Sequence, residues 1–214
     1  MAIVQNPITG RTRGKFSTAV FSKQFGKNTM RSKALSVRNP KTPAQLEQRA
    51  KFNTALEFVR LIIGIVRIGY AKFASGMSAY NTAMRQVMLD AITGVYPSFD
   101  ISYPDDLVSQ GSLTGFSAPT ALAAPVLKIN LAWTDNTGQG NAAADDIMHY
   151  CIINTDAGTV TAGTNNKTRS DGSDVINVAG AAGEDCEVYA FFVSATTGEA
   201  CDSVYLGKHS LVAV

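Results

Sequence analysis

A chain of 214 residues with 45% hydrophobic and 17% charged side chains can bury a sizeable core, which excludes a disordered polymer. The formal net charge of +2 hides a division. Residues 1–51 carry eleven basic side chains (Arg11, Arg13, Lys15, Lys23, Lys27, Arg31, Lys33, Arg38, Lys41, Arg49 and Lys51) against one acidic one, Glu47, whereas residues 101–214 carry four basic and thirteen acidic.

In chain order, residues 2–9 lack an apolar core, so no secretory signal is expected. Gly14 to Leu35 reads as a basic hairpin, with turn chemistry at Gly26-Lys27-Asn28. Phe16, Ala19, Phe21 and Phe25 give it little apolar surface, and isolated hairpins are marginal in water. Such an arm is loose unless something holds it.

A helix is predicted from Pro43 to about Tyr70. Thr42 suits the N-cap, Pro43 the first helical position, and Gln45 completes a Thr-x-x-Gln capping box. Glu47 and Lys51 form a favourable i, i+4 pair. Arg60 and Arg67 share a face of this helix, as stems lying over packed surface or as partners for acids across an oligomer interface. The longest apolar tract, Phe58 to Tyr70, is interrupted by these arginines and falls short of the ~20 residues that span a bilayer, so no membrane role is expected. A second helix is predicted from near Ser78, with Gly94 as its C′ residue and Pro97 closing the segment. The two helices would form an antiparallel pair.

Beyond residue 101 the period shortens. Leu127, Ile129, Leu131 and Trp133 alternate with Lys128, Asn130 and Ala132, which predicts a half-buried strand. Further strand-like runs are Val108–Thr114, Ile147–Asn154, Thr159–Ala162, Asp174–Ala179, Glu187–Ala195 and Ser203–Gly207. About seven short strands separated by Gly, Asn, Asp and Thr clusters suggest an immunoglobulin-like or fibronectin-type β-sandwich. The fold class expected is α+β in three parts: a basic arm or hairpin over 1–41, a helical pair over 42–100 and a sandwich over 101–214.

Several stretches resemble one uncharacterised family found in Bacteroidota and their phages. They are Arg31-Ser32-Lys33, Val37-Arg38-Asn39-Pro40-Lys41-Thr42, Ala44-Gln45 with Gln48-Arg49-Ala50-Lys51-Phe52, Met77-Ser78-Ala79-Tyr80-Asn81, Trp133-Thr134-Asp135-Asn136 and Ser203-Val204-Tyr205-Leu206-Gly207. Ala34 departs from the pattern, which has proline there. The resemblance covers almost the whole chain, carries no known chemistry, and implies a virion or assembly subunit by analogy. Localisation would be the virion or the cytoplasm of the host bacterium.

No catalytic constellation is found. His149 and His209 are isolated, no Cys-x-x-Cys occurs, and Gly111-Ser112-Leu113-Thr114-Gly115 misplaces the serine of a nucleophile elbow. Cys151, Cys186 and Cys201 are an odd set, which favours free, packed thiols over a Cys186–Cys201 crosslink. Asp135, Thr137, Gln139, Gly140 and Asp146 match a calcium-loop template poorly. No enzyme activity, cofactor, metal or small-molecule substrate is therefore expected. The eleven basic residues are the candidate binding set. Their partner is another copy of the chain or another virion protein, with nucleic acid as the alternative.

Overall fold

The computed structural model describes residues 3–5, 11–24, 27–36, 39–73 and 76–213. The chain divides into two compact units, 1–45 and 46–214.

In the first unit four short strands, β1 (Ile3–Gln5), β2 (Arg11–Phe16), β3 (Ala19–Gln24) and β4 (Lys27–Ser32), form an antiparallel sheet in that order. The expected single hairpin is therefore replaced by a meander. Lys27 and Asn28, expected in a turn, open β4 opposite Gln24 and Lys23, and Gly26 lies outside the described residues. The turn between β2 and β3 falls instead at Ser17-Thr18, with Ser17 at φ 49. Every residue of β4 is exposed.

The second unit begins within α1 (Pro43–Leu61), followed by α2 (Ile63–Gly69). The single helix expected to reach Tyr70 thus breaks at Ile62. Where α2 ends it meets an irregular strap, residues 103–113. A Cβ on Gly69 would sit 2.5 Å from the Ser109 Cβ and 2.6 Å from the Val108 carbonyl oxygen, so only glycine permits this approach. The third helix, α3 (Ala79–Gln86), starts as predicted: the Ser78 hydroxyl accepts from the Asn81 amide at 3.2 Å. It widens into a π-helical turn over Val87–Ala91. A hairpin follows, β5 (Ile92–Val95) and β6 (Ser98–Ile101). Gly94, expected to end a helix, lies in β5 at φ 89.

The remaining strands are β7 (Ser117–Ala124), β8 (Lys128–Thr134), β9 (Ile147–Asn154), β10 (Thr159–Gly163), β11 (Ser173–Asn177), β12 (Asp185–Val193) and β13 (Val204–Ser210). They make two antiparallel sheets, β11-β8-β7 and β10-β9-β12-β13. Val108–Thr114, expected as a strand, is the strap instead. Its polar groups are spent on other segments: the Ser109 hydroxyl donates to the Cys201 carbonyl at 2.7 Å, and the Val108 amide donates to the Ser203 hydroxyl at 3.0 Å. The seventh strand is β7, whose Ala-rich sequence and Pro119 give no strand signal; as the end strand of its sheet it tolerates the proline.

Packing explains the hydrophobic pattern. In β8 only Ile129, Leu131 and Trp133 are buried, because one face of the three-stranded sheet is open. β9 and β12 are buried at nearly every position, because both faces of their sheet are covered. On one face Phe192 meets Trp133 and Phe116. On the other the Tyr189 hydroxyl donates to the Tyr103 carbonyl at 2.6 Å, and Tyr103 packs edge-on against Phe58 of α1. Helices and both sheets share one core, so the expected boundary near residue 100 does not separate two bodies. Among the described residues no helix is long and apolar enough to cross a membrane.

Candidate interaction surface

The candidate binding residues fall into two groups. Unit 1 holds nine of the eleven and no acidic residue, a net of +9. Its register places Lys15, Val20 and Arg31 in one row across β2, β3 and β4. Lys27 lies on the same face, four residues from Arg31. The Ser22 and Thr29 hydroxyls, 2.6 Å apart, fill the space between these cations. Strand spacing sets Lys15 and Arg31 about 10 Å apart. The opposite face carries Ala19, Phe21 and Met30 with Lys23, and Met30 is 70% exposed. Lys15, Lys23, Lys27, Arg31, Lys33 and Lys41 are all exposed. Arg11 and Arg13 pair with β1 through their backbones, opposite Gln5 and Ile3, and Arg38 lies outside the described residues.

Arg49 and Lys51 belong to the other group, on α1. Lys51 is bound to Glu47 at 2.9 Å and lies over the Phe99 ring, so the body already uses its charge. Arg60 and Arg67 are exposed on α1 and α2.

Unit 2 holds ten basic and seventeen acidic side chains, a net of −7. Asp135, Asp145, Asp156, Asp171 and Asp202 are exposed. Several carboxylates are locked in the charged form. The Lys208 ammonium and the Ser210 hydroxyl hold Asp185 below the ordinary carboxylate range. Amides and hydroxyls of Thr137 and Thr168 do the same for Asp135 and Asp171. The body thus presents fixed negative charge of the sign that the N-terminal sheet lacks.

The most elaborate polar arrangement in unit 2 is one that the sequence reading missed. Arg169 is fully buried. Its Nε donates to Asp146 Oδ2 at 3.0 Å and its Nη2 lies 2.9 Å from the same oxygen as an ion pair; Nη2 donates to the Thr114 carbonyl at 2.7 Å, and Nη1 to the Gly115 carbonyl and Asn136 Oδ1. The guanidinium lies 4.1 Å from the Phe192 ring centroid, and the Arg169 carbonyl accepts from the Trp133 indole at 2.8 Å. Every guanidinium nitrogen is engaged by a protein oxygen, so this is a structural knot joining three loops to the core and not an open anion site. Nothing in the spacing singles out Arg169. The visible signal is its neighbour: Thr168 and Asp171 form a capping box around it.

The same knot removes the calcium-loop reading, since Asp146 is turned inward to Arg169 while Asp135 is tied to Thr137. The three cysteines are free and buried, and burial pushes the Cys186 and Cys201 thiols up to about 11, well away from reactive thiolates. His149 stacks on Phe191 with its pKa lowered by burial, and His209 Nε2 lies 3.0 Å from the Leu206 carbonyl. No group of three or more His, Cys, Asp or Glu able to hold a metal occurs among the described residues.

The sequence profile of a family of unknown function, DUF6266, matches residues 11–207, and the chain belongs to that family. No curated protein matches it. Among solved structures it is similar to the fn3 domain of the human collagen alpha-1(XX) chain, at 11% identity and a TM-score of 0.37, over 50% of this chain and 93% of that one.

Proposed function

We propose that this member of the DUF6266 family is a non-enzymatic structural subunit of a protein assembly, and that it docks through its basic N-terminal sheet onto the acidic body of a neighbouring copy. The observation that carries the reading is the composition of unit 1: nine basic side chains, no acidic one, and an end strand, β4, exposed along its whole length. A sheet with an open edge and no layer over it is a template for further pairing. Opposite charge on the body fixes register and speeds encounter. The resemblance to a phage-associated family makes a virion the assembly proposed. We read the seven strands of residues 117–210 as an immunoglobulin-like or fibronectin-type sandwich, because they divide three and four between two packed antiparallel sheets. In this reading the sandwich is the rigid body on which the arm of the next copy rests.

The alternative partner is nucleic acid, and salt separates the two. Full-length chain is titrated with random-sequence DNA at several salt concentrations while assembly is followed by sedimentation. The expected result is self-association without DNA, partly retained at high salt because apolar contacts are not screened. Deleting residues 1–41 is expected to abolish assembly and leave unit 2 folded. A monomer without DNA, with tight DNA binding that falls at a log–log slope near −4.5 for about five phosphate contacts, overturns the reading in favour of nucleic-acid binding.

A further inference from the structure

Asp106 is 1% exposed, and neither of its carboxylate oxygens has a hydrogen-bond partner. It sits in the strap that runs between the helical layer and the β9–β12 face. Two buried tyrosines grip that strap on either side of it. Tyr70, at the end of α2, donates to the Leu107 carbonyl at 2.7 Å. Tyr189, on β12, donates to the Tyr103 carbonyl at 2.6 Å. Both hydroxyls are therefore committed to the strap backbone and leave the carboxylate unserved.

We propose that Asp106 is a proton-operated latch: in its neutral form the strap clamps the helical layer onto the β9–β12 sheet, and its ionisation loosens that clamp. A buried carboxylate without donors is costly only when charged. Burial raises its pKa from 3.8 to about 7, and the adjacent Leu107 amide, short of hydrogen-bond geometry, offsets this only in part. The groups that face it offer no cation. Tyr70 beside α2, Cys151 from β9 and Tyr189 from β12 have their pKa values raised by burial first and by its charge second. The Asp202 carboxylate acts on Tyr70 from the 200–203 segment, Phe58 from α1 brings only a ring against Tyr103, and Glu187 is taken by the Tyr205 hydroxyl. Once charged, Asp106 competes for the Tyr70 and Tyr189 hydroxyls, the two that hold the strap.

The direction follows from linkage. The folded chain binds the Asp106 proton more tightly than the unfolded one, so its contribution to stability is full below the ordinary carboxylate value and is lost as pH rises towards about 7. His149, with a lowered pKa, works in the opposite direction, so it cannot produce a fall. The test is denaturant unfolding of the full-length chain from about pH 5 to about pH 8, below the range where unfolded thiols ionise, with Asp106→Asn alongside. The expected result is a wild-type midpoint that drops with pH and a variant midpoint that does not. Hydrogen-exchange protection at Leu107–Gln110, taken relative to the base-catalysed intrinsic rate, should fall at the alkaline end in the wild type alone. Carboxyl-carbon NMR of aspartate-labelled wild type decides the matter even where the variant fails to fold: one aspartate should titrate near neutrality. If none titrates above about pH 6, or if Asp106→Asn keeps the wild-type pH dependence, the latch does not exist.

Discussion

Two four-stranded antiparallel sheets in this chain have the same hydrogen-bonding logic and opposite fates. β10-β9-β12-β13 is covered on both faces, and its middle strands are buried almost throughout. β1-β2-β3-β4 has a fully exposed end strand, a 70%-exposed Met30 and a row of cations. Strand pairing is common to both, so it cannot be what makes the first a rigid core. The layers that cover it are. Among the described residues of its own unit no second layer covers the N-terminal sheet, and that contrast is what motivates the docking proposal.

The contrast is broken most severely at Arg169, the point where the body's loops are tied to its core. Arg169→Ala leaves Asp146 buried without a counter-charge and strands the Thr114 and Gly115 carbonyls. Breaking a buried pair costs about 3–5 kcal/mol, and the orphaned carbonyls take this substitution to the upper end of that range or beyond. Urea unfolding of the purified chain measures it. A loss below ~2 kcal/mol would mean that water enters the knot and that the body is less sealed than the comparison requires.

Next in size is Trp133→Ala. Trp133 is 7% exposed, packs edge-on against Phe116 and Phe192, and donates its indole N–H to Arg169. The substitution should cost about 3–5 kcal/mol, towards the lower end because no charge is left unpaired. Because Trp133 and Arg169 share contacts, the double variant should lose less than the two single losses combined, which a double-mutant cycle in urea would register. Additive losses would separate the aromatic cluster from the knot.

What the sequence makes legible follows from burial. Ile147–Asn154 reads correctly as a strand to the residue, because a strand covered on both faces writes itself as a continuous apolar run. Ile129, Leu131 and Trp133 are legible by alternation, while Leu127, the first of that series, falls outside the strand at φ 55. β7 is illegible because its alanines and Pro119 carry no strand preference and its pairing is decided by β8. Val108–Thr114 misleads for another reason: it threads the core as a strap, with Val108 and Leu113 buried and its polar groups bonded to other segments, and it joins no ladder. The basic face of β2–β4 is visible as charge, but its rows are not, since the turn at Ser17-Thr18 and the pairing of Gln24 with Lys27 set the register. Arg169 and Asp106 are hidden outright. A lone buried charge has no period, and only tertiary structure separates it from the exposed acids and bases around it.

The smallest effect sharpens the border between the two regions. Lys51 counts among the basic residues near the N-terminus, yet it stands on α1, paired with Glu47 and lying over Phe99. Its side chain is 33% exposed and that of Glu47 45%, so solvent screens much of the attraction. Glu47→Ala should therefore lower the stability of the body by only about 0.3–0.5 kcal/mol, the size of an ordinary i, i+4 helix pair, with the loss shrinking as salt is added. It should leave self-association unchanged, because Lys51 is freed but the N-terminal sheet is not touched. Urea melts at two salt concentrations measure the first part, and sedimentation of the same variant the second. An unchanged melt with altered assembly would carry the docking surface across residue 45 onto α1, and the contrast between a sealed body and an open basic sheet would have to be redrawn there.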